Sequence, residues 1–203
     1  MWRISPAVQA AVTVDTSTSN SPTSYGLQRK TWYDGSRYWA AFYSGSQIEF
    51  WYSADGSSWT QNTSATLAVN DSSFSIEADS TNLFIAYVNG GNIEARKATS
   101  YPGTGFTWGS ATTVFSGLNP YLLPTMERDT NSKVLINAVL FDDGSGFKEL
   151  QSKTSVSAND ITDFPITPVT LDTGNGAVGG HSLATLAGGD MYAVWAEGIE
   201  VLG

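Results

Sequence analysis

The hexad Tyr38–Tyr43, Y-W-A-A-F-Y, returns as Leu83–Val88, L-F-I-A-Y-V. The spacing is about 45 residues, a period typical of stacked supersecondary units. The surroundings return with it. Asp34-Gly35-Ser36 precedes the first copy and Asp79-Ser80-Thr81-Asn82 the second. Ser44-Gly45-Ser46 follows the first and Asn89-Gly90-Gly91 the second, each leading into an Ile-Glu pair. Such a period restricts the chain to architectures in which one unit cannot bury its apolar face alone and must stack on the next.

The unit is β-structured. Arg37–Tyr43 and Gln47–Ser53 are almost wholly aromatic, β-branched or small, which suits a pleated, packed surface. Their large residues show no sustained 3.6-residue stripe. Asp-Gly and Ser-Gly-Ser between the runs supply the φ freedom that tight hairpins need. Trp59 closes the first unit and Phe106-Thr107-Trp108-Gly109 the second. A looser third unit has strands over Leu123–Glu127, Val134–Phe141 and Phe147–Thr154. A short fourth has strands over His181–Leu186, Met191–Glu197 and Ile199–Leu202.

These units predict an all-β chain, a β-propeller of about four four-stranded antiparallel blades within a single domain, 1–203. The blades fall near 27–70, 71–118, 119–172 and 173–203, the last completed by a strand over Val8–Val14. A complete small ring and part of a larger propeller both fit this pattern. A β-sandwich accounts for the strands but not for the period.

Ser53-Ala54-Asp55-Gly56-Ser57-Ser58-Trp59 resembles the Asp-box of the sialidase superfamily, whose bacterial-neuraminidase repeats carry Ser/Thr, then Asp, then Gly, then an aromatic. Ser53, Asp55 and Trp59 match, and Gly56 follows Asp55 directly because the residue normally between them is missing. Q-R-K-T-W-Y-D-G-S-R-Y-W-A-A-F-Y and H-S-L-A-T-L-A-G-G-D-M-Y-A-V-W-A-E look like inner strand pairs of that superfamily's blades. The resemblance implies that Ser53, Asp55, Gly56 and Trp59 form a structural turn at the outer edge of a blade. An Asp-box therefore carries a fold and not a reaction.

The same resemblance sets a standard for catalysis. A sialidase needs three arginines on a carboxylate, a Tyr nucleophile assisted by a Glu, and an acid/base Asp. No Phe/Tyr-Arg-Ile-Pro motif is present, and the five arginines are Arg3, Arg29, Arg37, Arg96 and Arg128. The sole histidine, His181, excludes multi-imidazole metal sites, and no Gly-x-Ser-x-Gly elbow occurs. Without cysteine there are no disulfides and no thiolate chemistry. Asp142–Gly146 and Asp71-Ser72 offer oxygens to Ca²⁺ but match ordinary turn chemistry better, so no cofactor and no metal are expected.

Propeller ligands sit over the axis, beside the innermost strands. That rule selects Arg29, Lys30, Glu77, Glu127, Arg128 and His181 as ligand-binding candidates, with Gln28 and Ser182 beside them. Glu77 and Glu127 are the candidate pair of glycosidase carboxylates. Trp32, Tyr33, Trp51, Tyr52 and Tyr101 are aromatics suited either to stacking on sugar rings or to packing between blades.

A net charge of −9, with only 14% charged residues, argues against nucleic acid and against docking on anionic lipid. No apolar run approaches a membrane span, and Met1–Asp15 lacks a signal-peptide core. Asn62-Thr63-Ser64 and Asn70-Asp71-Ser72 read as glycosylation sequons. The sequence thus points to an extracellular, cell-surface or virion-surface propeller without catalysis, which recognises glycans or builds an assembly, with homo-oligomers through an exposed blade edge. Two alternatives stand beside it: a sialidase-like glycoside hydrolase, and a structural subunit of a fibre or phage appendage.

Overall fold

The structure, a computed structural model, describes residues 12–23, 25–26, 28–142, 147–173, 178–186 and 190–197. Within them four antiparallel sheets follow one another along the chain. Blade 1 comprises β1 (Thr31–Tyr33), β2 (Tyr38–Tyr43), β3 (Gln47–Ser53) and β4 (Thr60–Gln61), with β5 (Leu67–Ala68) also pairing β3. Blade 2 comprises β6 (Phe74–Ala78), β7 (Leu83–Asn89) and β8 (Asn92–Thr99), with β9 (Thr107–Trp108) and β10 (Thr112–Phe115) both on β8. Blade 3 holds β11 (Tyr121–Arg128), β12 (Lys133–Asp142), β13 (Phe147–Ala158) and β14 (Val169–Asp172). Blade 4 shows β15 (Val178–Thr185) and β16 (Met191–Glu197).

The sheets pack in series, which is what a propeller requires and a two-sheet sandwich does not. β7 shows it best. Leu83, Ile85 and Tyr87 join Trp39, Ile48 and Phe50 in the core between blades 1 and 2. Phe84, Ala86 and Val88 on the other face join Met126, Val134 and Ile136 between blades 2 and 3. A strand covered on both faces must read as a continuous apolar run, and L-F-I-A-Y-V does. β6, β11 and β15 lie side by side at the centre, and Ile76 N–H donates to the Arg29 carbonyl at 2.8 Å, bringing blade 1 to the same axis.

Each of the first three inner hairpins is closed by one aspartate. Asp34 Oδ1 accepts from the N–H groups of Ser36 and Arg37, Asp79 Oδ1 from Thr81 and Asn82, and Asp129 Oδ1 from Asn131 and Lys133. These side chains satisfy turn donors that no ladder partner reaches. Asp34 also accepts the buried Trp39 indole N–H at 2.7 Å.

Several strands differ from the sequence reading. The strand expected over Leu27–Tyr33 is only Thr31–Tyr33. Gln28 N–H is used in a turn onto the Tyr25 carbonyl, and the Arg29 carbonyl turns to blade 2. β11 begins earlier, at Tyr121, and carries a bulge between Leu122 and Thr125, with Leu123 at φ 54°. Residues 12–14 are not strand, and the rest of Val8–Val14, like Ile199–Leu202, lies outside the described residues. Residues 16–22 instead lie along the edge of blade 1. Tyr43 N–H donates to Pro22, and the Ser17 and Thr18 hydroxyls donate to the Tyr43 and Ser44 carbonyls.

Candidate functional site at the axis

Blades 1, 2 and 3 each send charged side chains to one place. Arg29 lies just before β1, Glu77 near the end of β6, and Glu127 and Arg128 at the end of β11. Arg29 bridges two carboxylates, with Nη1 2.5 Å from Glu77 Oε2 and Nη2 3.4 Å from Glu127 Oε2. Arg128 approaches the other oxygen of Glu77, Nε to Oε1 at 3.3 Å. Its Nη2 pairs with Asp79 Oδ2 at 2.7 Å and its Nη1 donates to Asn159 Oδ1 at 2.9 Å.

Burial governs the electrostatics. Glu77 is 4% exposed, and desolvation pushes its carboxyl up to about 7. Arg29 pulls it down, the neighbouring Glu127 pushes it up again, and Arg128 pulls it down. Arg29 is shared between two acids, so it offsets only part of the burial cost. Asp79 goes the other way: burial opposes ionisation, but hydrogen bonds from Thr81, Asn82 and Arg128 hold it well below the usual carboxylate range. A carboxyl raised by burial beside one lowered by hydrogen bonds is the kind of divergence that assigns acid and carboxylate roles in hydrolytic sites.

A cavity of about 230 Å³ opens beside this cluster, lined by Gln28, Arg29, Ser75, Thr125, Glu127 and Ser182, with few apolar groups. Two guanidiniums face three carboxylates, one of which burial pushes towards its neutral form. The site is close to charge balance and rich in donors and acceptors, which suits a polyhydroxylated ligand better than a strong anion.

The structure groups Arg29, Glu77, Glu127 and Arg128 and separates the other two candidates. Lys30, just before β1, is directed away from the cluster and into the packing between blades 1 and 2. Its Nζ donates to Gln28 Oε1 at 2.9 Å and to the Phe74 and Ser72 carbonyls at 3.0 and 3.4 Å, and sits 3.9 Å from the centre of the Phe74 ring. Burial lowers its pKa to about 7 against the pull of Asp71. His181 is buried between blades 3 and 4, and burial lowers its pKa to about 4. The Asn137 backbone acts on its imidazole, yet neither ring nitrogen reaches ordinary hydrogen-bond geometry. Thr125 Oγ1 and both amide atoms of Asn137 are likewise buried without a partner.

Other candidates fall elsewhere. Arg37 lies in the β1–β2 turn near Asp34, and Arg96 on β8 bonds the Tyr87 hydroxyl and the Gly109 carbonyl. Two guanidiniums therefore meet at the axis among the described residues, not the three of a sialidase clamp. Asp55 Oδ1 takes the Ser57 and Ser58 N–H groups and the Ser53 hydroxyl, Gly56 adopts φ 75°, and Trp59 Nε1 donates to the Gly56 carbonyl. This turn belongs to the outer half of blade 1. Trp32 is core, stacked on Trp39 at 5.5 Å. Asn62 is buried and its amide donates to the Phe106 carbonyl, so the first sequon is inaccessible. Asp71 Oδ1 caps Ser73 N–H, and residues 143–146 of the other calcium candidate lie outside the described residues. No group of three or more acidic or histidine side chains gathers as a metal site among the described residues, and none of their helices is long and apolar enough to cross a membrane.

Asp79 and Asn159 belong to the cluster and escaped the sequence reading. The signal for Asp79 was its equivalence to Asp34 and Asp129 in the hairpin turns. Asn159 carries none, because it enters from the end of β13 at φ 53°.

The geometry is that of a β-propeller with a polar axial site. The solved structure of a thermostable family-43 glycoside hydrolase superposes with a TM-score of 0.59 at 12% identity, covering 93% of this chain and 68% of that one. An endo-arabinase from Bacteroides thetaiotaomicron VPI-5482 aligns over 86% of this chain and 90% of its own, also at 12% identity, but with a TM-score of 0.35 that adds nothing to the fold argument. No protein-family model matches the chain, and no curated protein sequence matches it.

Proposed function

We infer that the chain is a carbohydrate-recognising β-propeller acting outside the cell or on a cell or virion surface, with the saccharide held at the axial cluster. The observation that carries this reading is the ionic cluster of Arg29, Glu77, Glu127 and Arg128 drawn from three blades, with Arg29 and Glu127 lining the polar cavity beside it. Arg and Glu side chains there form a fixed fork of donors and acceptors of the kind that orients sugar hydroxyls. The glycoside hydrolase whose fold it shares is consistent with a sugar ligand. Sialic acid is the less suitable sugar, since two guanidiniums already engaged with Glu77 leave no three-arginine clamp.

A hydrolytic reading is favoured by one feature, Glu77 held near neutrality beside Glu127. Glu77 then serves as general acid and Glu127 as the partner carboxylate. Both readings are tested together. Neutral oligosaccharides are titrated while tryptophan fluorescence is followed, and reducing-sugar release is measured from pH 5 to 8. Recognition predicts saturable binding weakened about tenfold in Arg29→Ala. Hydrolysis predicts turnover abolished in Glu77→Gln and Glu127→Gln with binding retained. Saturable binding unaffected by Arg29→Ala would remove the axial assignment.

A further inference from the structure

We propose a second saccharide-binding site on blade 1, away from the axis, where Tyr33, Tyr38 and Trp59 line an open cleft of about 500 Å³. The ligand class rests on the carbohydrate reading above, but the site shares no residue with the axial cluster. Its size lies within the roughly 300–1,000 Å³ range of small-ligand clefts.

Trp32 and Trp39 line the cleft together with Tyr33, Tyr38 and Trp59. Trp32 and Trp39 are register partners and point into the core. Tyr33 and Tyr38, the next pair along, take the other face, with rings 5.1 Å apart and tilted by 44°. They are 54% and 50% exposed, where Trp39 is buried. Two of the three aromatic side chains are already held in place. The Tyr33 hydroxyl donates to the Gly35 carbonyl at 3.0 Å, and the Trp59 indole N–H to the Gly56 carbonyl at 3.3 Å. Rings fixed before binding lose little rotamer freedom when a ligand arrives. Their exposed faces match the C–H faces of sugar rings.

The polar part of the cleft sets the charge of the ligand. Asp55 and Thr31 are exposed at its edge, and the lining contains no Lys or Arg. Asp55 Oδ1 is committed to the turn, which leaves Oδ2 as the acceptor for a sugar hydroxyl. The Tyr38 hydroxyl has no partner among the described residues and supplies a donor. One carboxylate and no cation exclude uronates and sialates and select a neutral oligosaccharide. The Asp-box-like turn thereby gains a second role: it positions Trp59 and presents Asp55.

Affinity electrophoresis through gels containing arabinan, xylan, mixed-linkage β-glucan or galactomannan, with polygalacturonate as the acidic polymer, tests the site. Retardation by at least one neutral polymer is expected. It weakens about tenfold in Tyr33→Ala/Tyr38→Ala and to a lesser degree in Tyr38→Leu, which keeps apolar bulk without a ring. It persists in Arg29→Ala. Circular dichroism of each variant must match the parent. The proposal is overturned if no neutral polymer retards the protein, if the tyrosine variants migrate like the parent, or if polygalacturonate retards it most. Retardation lost only in Arg29→Ala overturns this site and leaves the axial reading intact. Retardation lost only in the tyrosine variants supports this site and counts against the axial one.

Discussion

The junction of blades 1 and 2 and the junction of blades 3 and 4 are built on opposite principles. The first is packed with rings. Phe106 contacts Trp39, Phe50, Tyr101 and Trp108, and its axial end is closed by the Arg29–Glu77 pair. At the second, the described residues show a small apolar group drawn from blade 3 alone, Val139 and Leu150 with Leu123 and Leu171, and Thr125, Asn137 and His181 have buried polar atoms without a protein partner. Where polar groups are bonded, burial adds specificity at little net cost. Where they are not, each carries its desolvation penalty in full. The first junction is therefore held by ring packing, whereas the second carries buried polar atoms with no protein partner among the described residues.

Phe106→Ala attacks the packed junction directly. We expect a loss of about 4 kcal/mol, a large-to-small change at a fully buried ring, read as a shift in the urea midpoint. A loss under roughly 1 kcal/mol would show that the ring cluster collapses to fill the space.

Arg128→Ala comes next. It removes one of the two guanidiniums on Glu77 and the guanidinium paired with Asp79, so a loss of about 2 kcal/mol is expected at pH 8. The loss shrinks at pH 5, because Glu77, already raised by burial, then takes up a proton and needs no cation. Equal losses at both pH values would mean that Glu77 does not titrate in this window.

His181→Leu is the smallest change and has the opposite sign. At pH 7 it is neutral or stabilises by roughly 1 kcal/mol, since it removes two unmatched nitrogens. The advantage grows as pH falls from about 6.5 towards 4. The unfolded parent gains a proton in that range while the folded parent, with its His181 pKa near 4, does not. Urea titrations at pH 7 and 4.5 separate the two. A destabilised variant at pH 4.5 would show that His181 is bonded in solution, through water or a ligand.

The contrast between junctions was only half legible in the sequence. The period, the apolar runs and the Asp-bearing turns follow from local chemistry, so Tyr38–Tyr43 and Leu83–Val88 could be aligned and inner strands assigned. Alignment gives a strand, not a face. Arg29 and Lys30 are neighbours in sequence just ahead of β1, yet one reaches the axial cluster and the other the Phe74 ring. The bulge at Leu123 shifts the register of β11, which no periodic pattern marks. Asn159 joins Arg128 across 31 positions through a left-handed backbone turn, a contact that exists only after folding.

The aspartates at 34, 79 and 129 have a consequence in time. Each closes its hairpin over three or four residues, and loops this short close fast and at little entropic cost. Each of the first three blades can therefore begin to pair on its own as it leaves the ribosome. The Arg29–Glu77–Arg128 contacts, which span 48 and 51 positions, must wait for the next blade. The order of assembly is written into the chain as short-range turns first and the charged axis last, so a variant lacking Asp79 should slow the formation of blade 2 while leaving blade 1 on schedule.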